Sequence, residues 1–359
     1  MRLQCASAML LLFATLLPAA GTLEVYLADV EGTQAMLVVT PSGQAILVDA
    51  GWQGIINSKS QVIQPDDRDT DRIIEVVKLS KVKQIDYLVV THYDNDHVGN
   101  VPRLVAKLPV PVLAFVDHGP PVTENKATQE LYNAYLAAIG QAKRISVKPG
   151  DTLPIKGLDV RVVTSAGSAI TDALQGAGAS NQYCGAAPDK PERGENPASV
   201  GLVFTYGQFR MIDLADLTKG MEYSLMCPNN RVGTMDLFIV SHHGYSMSNS
   251  PGLVHALHPR AAIMPNGAKK GGEAAAWEII RSSPGLQDLW QLHYTVDVDA
   301  AHNAPEQFIA NPQKEPDPKC FGTVLGDQAN WIGVSAQSDG TFTVTNSRNG
   351  FSKTYKRQR

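Results

Sequence analysis

The chain has 359 residues, with 31 Lys and Arg against 35 Asp and Glu for a net charge of −4. That balance excludes a global electrostatic footprint for nucleic acid or an anionic membrane surface. With 43% hydrophobic and 18% charged residues it reads as a globular protein, long enough to bury a sizeable core in one or two domains.

The first elements are not part of the fold. Arg2, the apolar run "AMLLLFATLLPAA" and the small residues Ala19, Ala20 and Gly21 predict a secretory signal peptide over 1–21. The run is too short for a comfortable membrane span. The mature chain is expected to be exported to a periplasm or beyond, without stable membrane insertion. Cys184, Cys227 and Cys320 then remain. Cys184 sits in a long loop and Cys227 follows a hairpin, so these two are predicted to pair and leave Cys320 free.

Strands are predicted at 23–30, 34–40 and 44–51, followed by a helix over 69–82 with apolar residues at helical spacing. The acidic residues Asp66, Asp67, Asp69 and Asp71 at its start read as capping and solvated loop. The buried strand "IDYLVV" (85–90) leads into "THYDNDHVGN", then a helical stretch, the strand 110–117 and a helix over 124–140. Residues 165–198 form a long irregular loop. The second half has a hairpin over 199–217, strands ending in "SHHG" and "MPNG", a helix at 273–283 and a strand near 286–295. The C-terminus closes on a hairpin at Asp339-Gly340.

Four of these strands end in residues that bind metal. Asp49 ends "LVDAG", while His92, Asp94, Asp96 and His97 fill six positions after "IDYLVV". Asp216 ends "DLADL", and His242 and His243 end "IVSHHG". Imidazole and carboxylate on rigid strand ends suit zinc or manganese, with loops left to admit substrate. Taken singly, each is an ordinary cap or surface histidine; four in order are hard to obtain by chance.

This order resembles the metallo-β-lactamase superfamily, and more closely the hydrolase domain of ComEC-type competence proteins. The likeness rests on "VYLADVEGTQAMLVVTPSGQAILVDAG", on H-x-D-x-D-H at 92–97 and on "SHHGYSMSNSP". It spans about residues 23–295. It implies a four-layer αββα sandwich over 22–320, with a small C-terminal β-hairpin extension at 321–359. It also implies one or two divalent ions, zinc or manganese. His92 and Asp94 would hold the first ion, Asp96, His97 and His242 the second, with Asp216 bridging. Asp49 would orient a ligand histidine. Asp96 and His243 are the candidate catalytic residues, and His243 ranks below His242 as a ligand.

The sequence departs from the superfamily where a third-motif histidine is expected, offering only Asn196 and Ser199. His118, Lys269 and Lys270 are candidates to line the cleft or meet an anionic substrate, and His293 is either core or cleft. Asp94, where the common pattern has histidine, makes the site harder and more negative, which favours manganese or magnesium. The expected activity is hydrolysis of a phosphodiester by a metal-bound hydroxide, on a small molecule, nucleotide or short oligonucleotide. Hydrolysis of a lactone, thioester or β-lactam on the same site is the alternative enzyme reading. A secreted, non-catalytic metal-binding protein is the third.

Overall fold

The computed structural model describes residues 21–57, 62–189, 192–315, 317 and 324–357. The signal segment and Cys320 lie outside the described residues. The chain builds two large sheets that face each other. The first has nine strands, in the order Ser352–Tyr355, Phe342–Asn346, Ile332–Ala336, Leu23–Leu27, Met36–Val39, Ala45–Val48, Tyr87–Val89, Ala114–Asp117, Lys143–Ser146. The second has eight, in the order Ser168–Ala169, Asp159–Ser165, Gly201–Tyr206, Phe209–Asp213, Leu237–Ile239, Ala261–Met264, Asp288–His293, Ile309–Asn311.

Alternation explains the layering, because successive side chains of a strand point to opposite faces. Leu23, Val25 and Leu27, with Met36, Val38, Ile46 and Val48, join Val203, Phe204, Met211 and Phe238 of the other sheet in one core. The opposite face of the first sheet, with Leu37, Leu47 and Leu88, takes Ile73 and Val77 from helix Arg68–Ser80 and Tyr135 from helix Lys126–Ile139. Helices Lys219–Met226, Pro251–Leu257 and Ala274–Arg281 lie beside the second sheet. They bury Leu225, Leu253, Leu257 and Ile280 in continuity with its strands. The result is the four-layer αββα sandwich.

The C-terminal hairpin forms at the expected turn and continues into a third strand. It is part of the first sheet: Ile332–Ala336 pairs antiparallel with the first strand, Leu27 opposite Ile332 and Leu23 opposite Ala336. Cys184 and Cys227 form a disulfide with a Cα–Cα distance of 5.8 Å, tying the long loop to the end of helix Lys219–Met226. Among the described residues, no helix is long and apolar enough to cross a membrane.

Parallel pairing fixes where chemistry can happen. Ala45–Val48, Tyr87–Val89 and Ala114–Asp117 run parallel, as do Phe209–Asp213, Leu237–Ile239 and Ala261–Met264. Their C-terminal ends, and the turns that follow, therefore collect along one edge of the sandwich, the place where open α/β sheets bind ligands.

Candidate metal centre

Asp49, the 91–97 turn, Asp216 and the 241–244 turn all leave such strand ends. Asp96, His97, Asp216 and His243 bring one ligand atom each within 4.8 Å of one another. Asp216 is nearly enclosed and serves both sides of the centre. Its Oδ1 lies 3.2 Å from His97 Nε2 and 3.3 Å from His243 Nε2. Its Oδ2 lies 3.4 Å from His242 Nε2 and 3.9 Å from His92 Nε2. Asp94 stands at the outer side, 3.7 Å from His92 Nε2, its side chain 41% exposed.

The backbone is bent to make this convergence. Asp49, His242 and His243 adopt left-handed conformations, with φ of 60°, 52° and 55°. Non-glycine residues there are strained, and such positions persist where the surroundings hold them. Gly271 shows how tightly: its φ is +74°, and a Cβ there would lie 2.0 Å from the carbonyl oxygen of His243. Only glycine lets the 266–272 loop close on the histidine turn.

Asp49 sets the imidazole of His97. Its Oδ2 accepts from His97 Nδ1 at 2.7 Å and from the Thr91 hydroxyl at 2.7 Å, while Oδ1 accepts the Thr91 amide at 2.8 Å. A proton on Nδ1 leaves the Nε2 lone pair aimed into the cluster, the arrangement that metal-binding histidines require. Thr91 has no signal of its own in the sequence.

The residues fit a metal. His92 Nε2, His97 Nε2, His243 Nε2 and Asp216 Oδ1 are buried without a hydrogen-bond partner. Leaving so many polar atoms unpaired in one spot is costly in an ordinary interior. Divalent ions between them would satisfy all four. The charges are mutually tuned: burial works to raise the Asp216 carboxyl, but His242, His97 and His243 hold it well below the usual range. Burial would lower the His97 imidazole, and Asp216, Asp49 and Asp96 instead raise it well above its ordinary value. Burial dominates at His242 and depresses it to about 4.

The structure corrects several assignments made from the sequence. His243, not His242, shares the tight cluster with Asp96 and His97; its Nε2 lies 3.5 Å from Asp96 Oδ2. His242 turns toward the His92 side, its Nε2 3.2 Å from Asn196 Nδ2 and its Nδ1 3.1 Å from Ser248 Oγ. Consecutive left-handed residues throw the two side chains apart, which a sequence pattern does not reveal. Lys270, rather than Lys269, reaches the centre and is ion-paired with Asp96. Asn196 and Ser199 stand beside the first position, Ser199 Oγ 3.4 Å from His92 Nδ1.

His118 does not face the cluster. It is buried, with Nε2 3.0 Å from Glu195 Oε2. Glu195 also accepts the Tyr93 and Val122 amides, at 3.3 and 2.9 Å, and so anchors the segment that carries Asn196. A lone glutamate in a Gly- and Pro-rich loop gave no hint of this. His293 is also away from the cluster, fully buried and 2.6 Å from Asp29 Oδ1. Asp29, Glu31, His293 and Asp327 form a second compact group, but Arg72 pairs with Asp29, Glu31 and Asp327 and supplies its cation.

The sandwich and its edge-mounted, histidine–aspartate centre define the metallo-β-lactamase fold. The family model of the metallo-beta-lactamase superfamily matches residues 28–171. Among curated proteins the chain is similar to ComE operon protein 3 of Bacillus subtilis (strain 168), 26% identical over 272 residues. That alignment covers 73% of this chain but only 30% of the relative. Among solved structures it is similar to the metallo-beta-lactamase fold protein YhfI from Bacillus subtilis, 12% identical with a TM-score of 0.45, covering 76% of this chain and 96% of that one. It is also similar to a diphosphatase from the PhnP family, 13% identical with a TM-score of 0.35, covering 67% and 85%.

Proposed function

We propose that this metallo-β-lactamase-fold hydrolase is an exported, metal-dependent phosphodiesterase acting on a nucleotide, a short oligonucleotide or another small phosphodiester. The observation that carries the reading is Asp216, with one carboxylate oxygen facing His97 and His243 and the other facing His242 and His92. A carboxylate so placed suits two cations side by side. Asp96, His97 and His243 would hold one, and His92, Asp94 and His242 the other. Divalent ions there would supply charge neutralisation for a phosphoryl group and activation of water.

The chain's own residues prepare that chemistry. Asp49 holds His97 in the tautomer that faces the cluster. Glu195 fixes the loop that presents Asn196 beside His242. Asp94 and Asp96 make the centre rich in carboxylate oxygen, which favours hard ions such as manganese and suits phosphoryl transfer over β-lactam opening. The N-terminal sequence supports export.

Acyl hydrolysis is the competing reading on the same residues. A panel of activated phosphodiester, lactone, thioester and cephalosporin reporters, each with manganese or zinc, separates the two. Turnover of the phosphodiester with manganese supports the proposal, whereas turnover of acyl reporters alone replaces it.

A further inference from the structure

Lys270 is the one feature of the centre that a metal-binding cluster does not call for. Its ammonium is ion-paired with Asp96 Oδ2. That same oxygen lies 3.6 Å from His97 Nε2 and 3.5 Å from His243 Nε2, so it is the oxygen a metal held by these histidines would use. Both side chains are largely shielded, 11% exposed at Lys270 and 12% at Asp96. Burial would raise the Asp96 carboxyl, but Lys270 and His97 hold it well below the usual range.

The backbone under Lys270 is fixed, while its side chain is free to swing. Gly267 N bonds to the Lys270 carbonyl at 2.8 Å, and Gly272 N bonds to the His243 carbonyl at 2.9 Å. The ammonium lies 5.1 Å from the centre of the Trp52 ring, an aromatic face on which a cation can rest. Only rotations about the lysine stem are needed to carry the charge off Asp96 while its Cα stays in place.

We propose that Lys270 is a tethered cation with two stations. It rests on Asp96 in competition with the metal ion of the Asp96–His97–His243 position. When that ion binds, the displaced ammonium stays at the centre and binds an anionic oxygen of the substrate, of the phosphate or phosphodiester class. The two positions around Asp216 therefore load unequally, and the second fills most readily together with an anion. The inference rests on reading the cluster as a metal centre.

Manganese titration calorimetry of the full chain, followed by titration of the manganese-loaded protein with inorganic phosphate, tests it. Lys270→Met removes the charge, and Lys270→Gln removes it while keeping a polar stem should Lys270→Met fold poorly. The expected result is manganese binding at the weaker position tightened by about tenfold in the variants, as for loss of a shielded competing ion pair. Phosphate binding should weaken by about tenfold, as for loss of a charge-assisted contact. Unchanged or weaker manganese binding in the variants would overturn the competition. Unchanged phosphate binding would overturn the second station. No manganese uptake by wild-type protein would be a different failure, removing the metal-centre reading and this inference with it.

Discussion

Asp216 stands between two pairs of histidines and offers each pair a different oxygen: Oδ1 to His97 and His243, Oδ2 to His242 and His92. Its strand, Phe209–Asp213, lies in the second sheet, whereas His92 and His97 follow a strand of the first. The centre is thus a junction between the two sheets, and its geometry depends on how they pack.

Asp49→Asn should weaken metal binding more than it weakens the fold. An amide can still accept from Thr91, but it no longer fixes the His97 proton on Nδ1. Loss of such an orienting partner typically costs about 10–100-fold in metal affinity. Calorimetric titration with manganese, alongside the melting temperature, measures both effects; an affinity equal to wild type would show that Asp49 does not orient the ligand.

Asp94→His should keep metal binding and move the preference toward zinc, since imidazole is the softer ligand. Metal content after dialysis against equal zinc and manganese reads this out. A variant with the wild-type metal ratio would show that position 94 does not set the choice.

The Asp29–His293 pair gives a pH dependence of stability away from the centre. Burial lowers the His293 pKa, but Asp29 reverses this and raises it from 6.5 to about 9. Its folded-state pKa lies above the unfolded value, so its stabilisation is fully present below about pH 6.5 and is lost as pH rises through about 9. Burial raises Asp29, and His293 and Arg72 together pull it below the ordinary carboxylate range, so that contribution disappears on acidification. The melting-temperature gap between wild type and His293→Gln should accordingly be wide at about pH 6 and narrow by about pH 10. A constant gap would contradict the assignment.

The Cys184–Cys227 bridge closes a span with sequence separation 43. Chain-entropy reasoning for a loop of that size gives about 4 kcal/mol, and engineered removals often show less. Cys184→Ser should lower the melting temperature, and thiol counting on oxidised, processed wild-type protein under denaturing conditions should return one thiol, from Cys320. Three thiols would rule out the bridge.

Much of the centre was legible because its residues follow apolar strands directly. Asp49, the 92–97 group and Asp216 each end a run whose burial the sequence announces. The choice between His242 and His243 was not legible, since it turns on two left-handed residues in succession. Nor was the choice between Lys269 and Lys270, which depends on how Gly271 lets the loop settle on His243. Glu195 and Thr91 act through hydrogen bonds to partners far away in the chain or to backbone, and neither has a local pattern. The C-terminal hairpin was evident from Asp339-Gly340, but its pairing with Leu23–Leu27 joins opposite ends of the chain, and only the folded sheet shows it.

The most direct test of the account is hydrolysis of an activated phosphodiester such as bis(p-nitrophenyl) phosphate, with metal content measured on the same samples. Wild-type protein should turn over with manganese, stop with EDTA and recover when manganese is restored. Asp216→Asn should bind less metal and lose activity by at least about 10³-fold, because one carboxylate serves both positions. A wild-type protein that binds no divalent ion, or an Asp216→Asn variant that retains wild-type turnover, would contradict the account.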